Sequence, residues 1–151
     1  MSETLRAHAL RYLSRREYSR NELRQKLVLL AADGSPSPEE LETLLDSLSA
    51  QHLLSDARYA ETRIGARSRR YGNLRLAQEL AQAGVAAETI AAALPGPEEE
   101  VRHCRAVRER KFGALLAGPG EIARQRNFLR YRGFSAEAIR QTLRDPEEDA
   151  A

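Results

Sequence analysis

Residues 128–143, FLRYRGFSAEAIRQTL, read as one helix that stops at a glycine and a second that starts two residues later. Gly133 occupies the position where a helix commonly ends in a left-handed residue, and Phe134 can fold back onto Leu129 as in a Schellman ending. Ser135 opens the next helix, Glu137 puts an acid in its first turn, and Ile139 and Leu143 mark its buried face. Residues 80–94, LAQAGVAAETIAAAL, repeat the pattern with Gly84, Val85, Leu80, Glu88, Ile90 and Leu94, although Ala86 is a poor cap. A weaker first copy has Gly34, then Ser37, Pro38 at the first helical position, Glu40, and Leu41 with Leu45.

Start signals recur upstream of each of these stops. In YSRNEL, residues 18–23, Ser19 and Glu22 form a capping box and Tyr18 can staple onto Leu23. In YGNLRL, 71–76, Gly72 takes the cap position and Tyr71 stands at the same offset from Leu76. Phe112–Gly113 reads as the third instance, its helix delayed by ALLAGPG. Leading helices over 3–16, 56–70 and 98–111 precede these signals. The pattern predicts an all-α protein of three tandem three-helix repeats, helix-turn-helix-like, stacked in an elongated, curved array: residues 1–53, 54–96 and 97–145, with an acidic tail at 146–151. One such unit is too short to bury its apolar face alone; stacking three supplies a continuous core.

The totals agree with a helical protein having much wet surface. Of 151 residues, 30% are charged, only eight are Tyr or Phe, and there is no Trp. The single cysteine, Cys104, excludes an internal disulfide framework. The longest apolar run, LVLLAA at 27–32, is far short of a membrane span, and the start of the chain lacks a signal-peptide pattern, so the chain reads as soluble, not exported and cytoplasmic.

A net charge of +2 conceals a strong alternation. Residues 1–30, 58–75 and 101–144 carry +4, +5 and +8, whereas 31–57, 76–100 and 145–151 carry −6, −5 and −4. Arg63, Arg67 and Arg70 fall on one helical face, with Arg69 and Arg75 nearby; Arg11 and Arg15 repeat the stripe in the first copy, and Arg108 with Lys111 in the third. Arg130 and Arg132 extend positive charge through copy three. A solvated helix face explains any single stripe, but three on a stacked array point to a polyanionic or acidic partner. Tyr12, Tyr59 and Tyr131 are candidates to stack on bases, while Tyr18, Tyr71 and Phe112 read as helix-start packing and Phe128 and Phe134 as core.

Catalysis finds little support. His8, His52 and His103 are scattered, no glycine-rich loop carries a phosphate-binding lysine, and His103 beside Cys104 points about 100° away from it on a helix. No enzyme activity, cofactor or metal is expected.

The stretches YSRNELRQKL, HLLSDARYAE, YGNLRLAQELAQAGV, KFG and NFLRYRGFSAEAIRQTL resemble, in that order, signature segments of the bacterial regulatory protein RecX family, over about residues 8–144. Matching positions include Ser19, Arg20, Asp56, Arg58, Gly72, Lys111, Phe128, Arg132 and Gly133, most of them read as determinants of fold; Asp56 is expected to cap the helix that opens copy two. The chain departs from the pattern at the insertion AADGSPSP and at Ser55, where a second acid is common. The resemblance implies a bacterial cytosolic modulator, usually an inhibitor, of the RecA recombinase, lying in the groove of the RecA–single-stranded-DNA filament and so affecting homologous recombination and the SOS response. It is expected to act as a monomer, and some family members also bind DNA directly. The rivals are a helical module acting on DNA by itself and a purely structural adaptor.

Overall fold

The computed structural model describes residues 2–30, 36–113 and 118–144, which form nine α-helices and no strand. In order these are α1 (Ser2–Arg15), α2 (Arg20–Leu29), α3 (Pro38–Ala50), α4 (Asp56–Arg67), α5 (Asn73–Gln82), α6 (Ala87–Ala93), α7 (Pro97–Phe112), α8 (Pro119–Tyr131) and α9 (Ala136–Thr142). Local chemistry sets most of the ends. Ser19 and Glu22 form the reciprocal capping box before α2, Ser37 accepts from the Glu40 amide with Pro38 opening α3, and Ser135 accepts from the Ala138 amide before α9. Gly84 and Gly133 have φ of 85° and 89°; Val85 N–H donates to Leu80 O (3.0 Å) with Gly84 N–H to Ala81 O (3.0 Å), and Phe134 N–H to Leu129 O (3.2 Å) with Gly133 N–H to Arg130 O (2.9 Å), in each case the paired bonds of a Schellman ending.

Three local expectations are revised. Gly113 ends α7 with φ 79° instead of starting a helix, because Gly118 and Pro119 supply the start of α8. The leading helix of copy two stops at Arg67, short of residue 70. Ser55, not Asp56, caps α4, its hydroxyl accepting from Arg58 N–H at 3.1 Å, and this frees Asp56 to bond elsewhere. Gly34 and most of the ALLAGPG stretch fall outside the described residues.

The chain divides into two compact units, 1–63 with 80–93 and 64–79 with 94–151, so that α4 and α5 contribute to both. The first unit buries Ala9, Tyr18, Leu23, Leu27, Leu41, Leu44, Leu45, Leu48 and Leu54. Leu23, Leu27, Leu45 and Leu48 are fully buried, each stabilising by about 1.5–3 kcal/mol relative to exposure. Its polar corner joins the start of α2 to the turn before α6: Ser19 Oγ donates to Ala83 O (2.7 Å), and Arg20 N–H donates to Asp56 Oδ1 (2.7 Å).

The second unit packs α7, α8 and α9 around Val101, Cys104, Val107, Leu129, Phe134, Ala138 and Ile139. Its polar corner joins the start of α5 to the turn before α9. Gly72 N–H donates to Arg132 O (2.9 Å) and Leu74 N–H to Gly133 O (3.0 Å). Glu100, only 4% exposed, accepts from Asn73 N–H (2.9 Å), Ser135 N–H (3.1 Å) and Ser135 Oγ (2.7 Å). These bonds place Tyr71, the last turn of α7 and the end of α8 around a common cleft.

Candidate polyanion-binding cleft

The cleft, about 400 Å³ in volume, is lined by Arg70, Tyr71, Val107, Arg110, Lys111, Phe128 and Arg132. Four of these side chains are cationic and none is acidic. Arg110 and Lys111 occupy the last turn of α7, where the negative end of the helix dipole favours cations. Phe128 and Arg132 lie four residues apart on α8 and so share a face. Arg110 Nη2 donates to Arg69 O (2.7 Å) and Arg132 Nη1 to Arg70 O (3.3 Å), fixing two guanidinium groups against the turn that carries Tyr71.

The rings are approached by charge. The Arg132 guanidinium lies 5.3 Å from the Tyr71 centroid and 5.1 Å from that of Phe128, and Lys111 Nζ lies 5.5 Å from Phe128. Arg75 and Arg67 stand 4.2 and 4.5 Å from the Tyr71 centroid. Both are shared with Glu79, which accepts two hydrogen bonds from Arg67 (2.6 and 2.8 Å) and lies 3.6 Å from Arg75. The bond to Glu79 is the main reason the Arg67 guanidinium is held even more firmly protonated than usual. Arg67 is therefore a structural ion-pair partner, and reversing its charge would disturb its contact with Glu79 on α5 as well as any ligand. Tyr71 and Phe128 sit half-exposed, offering ring faces beside cations, an arrangement suited to phosphates with neighbouring bases or other flat groups.

The basic residues singled out in the sequence thus separate into several places. Arg69, Arg70, Arg75, Lys111 and Arg132, with Arg67, surround the cleft. Arg108 does not face outward: it is 9% exposed, and its Nε donates to the fully buried Gln125 (2.9 Å). Arg130 is exposed on another face of α8, and Arg11, Arg15 and Arg63 are exposed in the first unit. Four lining residues were missed: Arg110, passed over when the stripe of this helix was read as Arg108 with Lys111, Val107, and Tyr71 and Phe128, assigned to packing. Their signal was the i, i+4 pair Phe128 and Arg132 together with adjacent Arg110 and Lys111. Among the proposed stacking tyrosines, Tyr59 is buried, with its hydroxyl donating to Glu22 (3.2 Å), Tyr12 packs edge-on against Tyr18, and only Tyr131 is largely exposed.

Other chemistry is weakly furnished. Cys104 is fully buried and burial pushes its thiol up to about 11, far from a reactive thiolate at neutral pH. Among the described residues no cluster of His, Cys, Asp and Glu could hold a metal ion, and no helix is long and apolar enough to cross a membrane.

Three-helix domains with a cationic, aromatic cleft define an all-helical protein with a polyanion-complementary surface. Family models of RecX match residues 6–29 as its first three-helix domain, 55–94 as its second and 98–143 as its third. The regulatory protein RecX of Herminiimonas arsenicoxydans is 40% identical over 149 residues, covering 97% of this chain and 95% of that protein. That of Chromobacterium violaceum is 41% identical over 147 residues, covering 97% and 93%. The chain belongs to the RecX family of regulatory proteins. The crystal structure of RecX from Lactobacillus salivarius has the same fold, with a TM-score of 0.84 at 19% identity over 99% of this chain and 97% of that one.

Proposed function

We propose that this chain regulates the RecA recombinase by binding the RecA–single-stranded-DNA filament, most simply as a monomeric cytoplasmic inhibitor of ATP hydrolysis, strand exchange and the co-protease function behind the SOS response. Membership of a family of regulatory proteins over nearly the whole chain carries this reading. The cleft deepens it: Arg70, Arg110, Lys111 and Arg132 converge on two ring faces without an acid among the lining residues, which suits contact with the filament's phosphates. Arg11, Arg15 and Arg63 would add long-range steering toward a negatively charged groove.

The test is RecA's DNA-dependent ATPase, titrated with this chain below the RecA concentration, alongside its binding to bare single strands in the same buffer. Loss of ATPase where bare DNA is barely bound supports filament binding. The double variant Arg110→Glu/Lys111→Glu should weaken the effect at least about tenfold while keeping the helical spectrum. An unchanged ATPase combined with tight DNA binding would overturn the reading and leave a DNA-binding module instead.

A further inference from the structure

The charge of copy three is not exhausted by the cleft. Arg126 and Arg130 lie two residues from Phe128 and Arg132 along α8, about 200° around the helix, and border a different depression of about 550 Å³ between α8 and α9. Its floor is aliphatic, made by Ile122, Ile139 and Leu143 with Ala136, and its rim carries Arg126, Arg130, Arg140 and Arg144. Among the described residues no carboxylate lines it. Glu137, in the first turn of α9, accepts from Arg140 (2.6 and 3.0 Å) and Gln141 (2.8 Å) within its own helix.

The two basic surfaces of this unit differ in what lies between their cations. The cleft has aromatic rings; the α8–α9 groove has branched aliphatic carbons, which give no stacking platform to a base and no hydrogen bond to a base edge. An aliphatic floor beside the Arg126 and Arg130 guanidinium groups is instead complementary to a peptide that inserts leucine-like side chains while presenting carboxylates toward α8, where arginine can pair bidentately. We propose that the α8–α9 groove docks an acidic segment of a protein partner, anchored by apolar side chains. The assignment is independent of the filament reading, since it uses neither the cleft nor its rings.

A short labelled peptide with leucines at i and i+4 flanked by glutamates is the probe, its binding to the full chain followed by fluorescence anisotropy. Arg126→Glu/Arg130→Glu, at two exposed helical positions, should weaken binding at least about tenfold, and Ile122→Asp should weaken it with the rim intact. Circular dichroism checks that both variants keep their helices. Replacing the probe's leucines by glycine should abolish binding. Equal binding by the glycine probe, or by Arg126→Glu/Arg130→Glu, overturns the proposal. So does a loss confined to single-stranded oligonucleotide binding in that variant, which would make the groove a nucleic-acid surface. If the intact chain ignores the probe but a chain ending at Arg144 binds it, the natural occupant is the chain's own acidic end, and a partner segment is again excluded.

Discussion

The two polar corners of this molecule occupy corresponding places in successive repeats and solve one problem with opposite means. Each sits where a second helix starts against the helix-to-helix turn of the next repeat, and each must satisfy first-turn amides with no partner inside their own helix. At the Ser19 corner the side chains do the work: the serine hydroxyl both caps α2 and donates to Ala83 O, and Asp56 takes the Arg20 amide. At the Gly72 corner the backbone does it, Gly72 and Leu74 donating directly to Arg132 and Gly133, while the longer acid Glu100 reaches in to hold Asn73 and Ser135 together. Asp56 and Glu100 are counterparts, each lent by the leading helix of the following repeat. A side-chain corner keeps a layer of adjustable atoms between two backbones; a backbone corner removes it, and should tolerate substitution far less well.

The sharpest break in the comparison is Gly72→Ala. A methyl group there would lie 2.2 Å from Phe134 Cα and 2.3 Å from Phe134 N, and neither backbone atom can move without opening the turn at Gly133. The expected cost is about 3 kcal/mol or more, at the upper end of overpacking, seen as a lower urea midpoint and loss of the second unit's amide protection. Removing the side chain from the corresponding serine, Ser19→Ala, should cost only about 1–2 kcal/mol, as lost caps do. Equal costs at the two positions would refute the contrast.

Next in size is Glu100→Gln. Three donors now converge on a buried carboxylate, and an amide would turn its NH2 group toward some of them, so a loss of about 2–3 kcal/mol is expected from unsatisfied buried donors. Asp56→Asn, with a single amide bonded at the other corner, should cost about 1 kcal/mol. Denaturant titrations of the two variants side by side give the ranking; a larger effect at Asp56 would mean that neither burial nor the number of bonds is the guide to these corners.

Much of this architecture was legible because its signals are local. Ser19 with Glu22, Ser37 with Pro38, and Gly84 and Gly133 each act within one turn of the residues that reveal them, so spacing alone located α2, α3, α6 and α9. The corners were not legible, since nothing near Glu100 in sequence announces Asn73 or Ser135. Within the acidic run at the start of α7 it looks like a dipole residue, and only folding singles it out from Glu98 and Glu99. The basic stripe misled for two reasons, one a partner in the next helix and one a local spacing that was overlooked. Arg67 meets Glu79 across the α4–α5 turn, and Arg108 lies on the face of α7 that also carries Val101 and Cys104, an i, i+3, i+7 series that marked it as inward-facing. Charge pattern identified copy three as basic; the packing divided that charge between an aromatic cleft and an aliphatic groove.

The smallest effect expected separates long-range from local electrostatics. Arg20, at the side-chain corner, and Arg24 extend from α2 to Glu42 on α3 (2.7 Å each), and their hydrogen bonds, that of Arg24 foremost, hold Glu42 down to about 2. Asn73, the counterpart of Arg20, carries no such charge. In the second unit Glu137 is also held at about 2, but by Arg140 and Gln141 within its own helix. A carboxylate depressed in the folded state contributes stability that is complete above its unfolded value near 4.5 and is lost as pH falls through about 2. The contribution depends on the difference between folded and unfolded states. Arg140 stays three residues from Glu137 in any conformation, whereas the bonds to Glu42 exist only when α2 packs on α3. Carbon-13 titrations of both carboxylates should therefore give similar low midpoints, while Glu42→Gln flattens the acid limb of stability more than Glu137→Gln does. The Glu42 pairs are half-buried and the Glu137 pair is exposed, but all reach solvent, so the difference should shrink as salt is raised. Identical acid limbs for the two variants would show that depressed carboxylates in this chain report local pairing and say nothing about how its helices are held together.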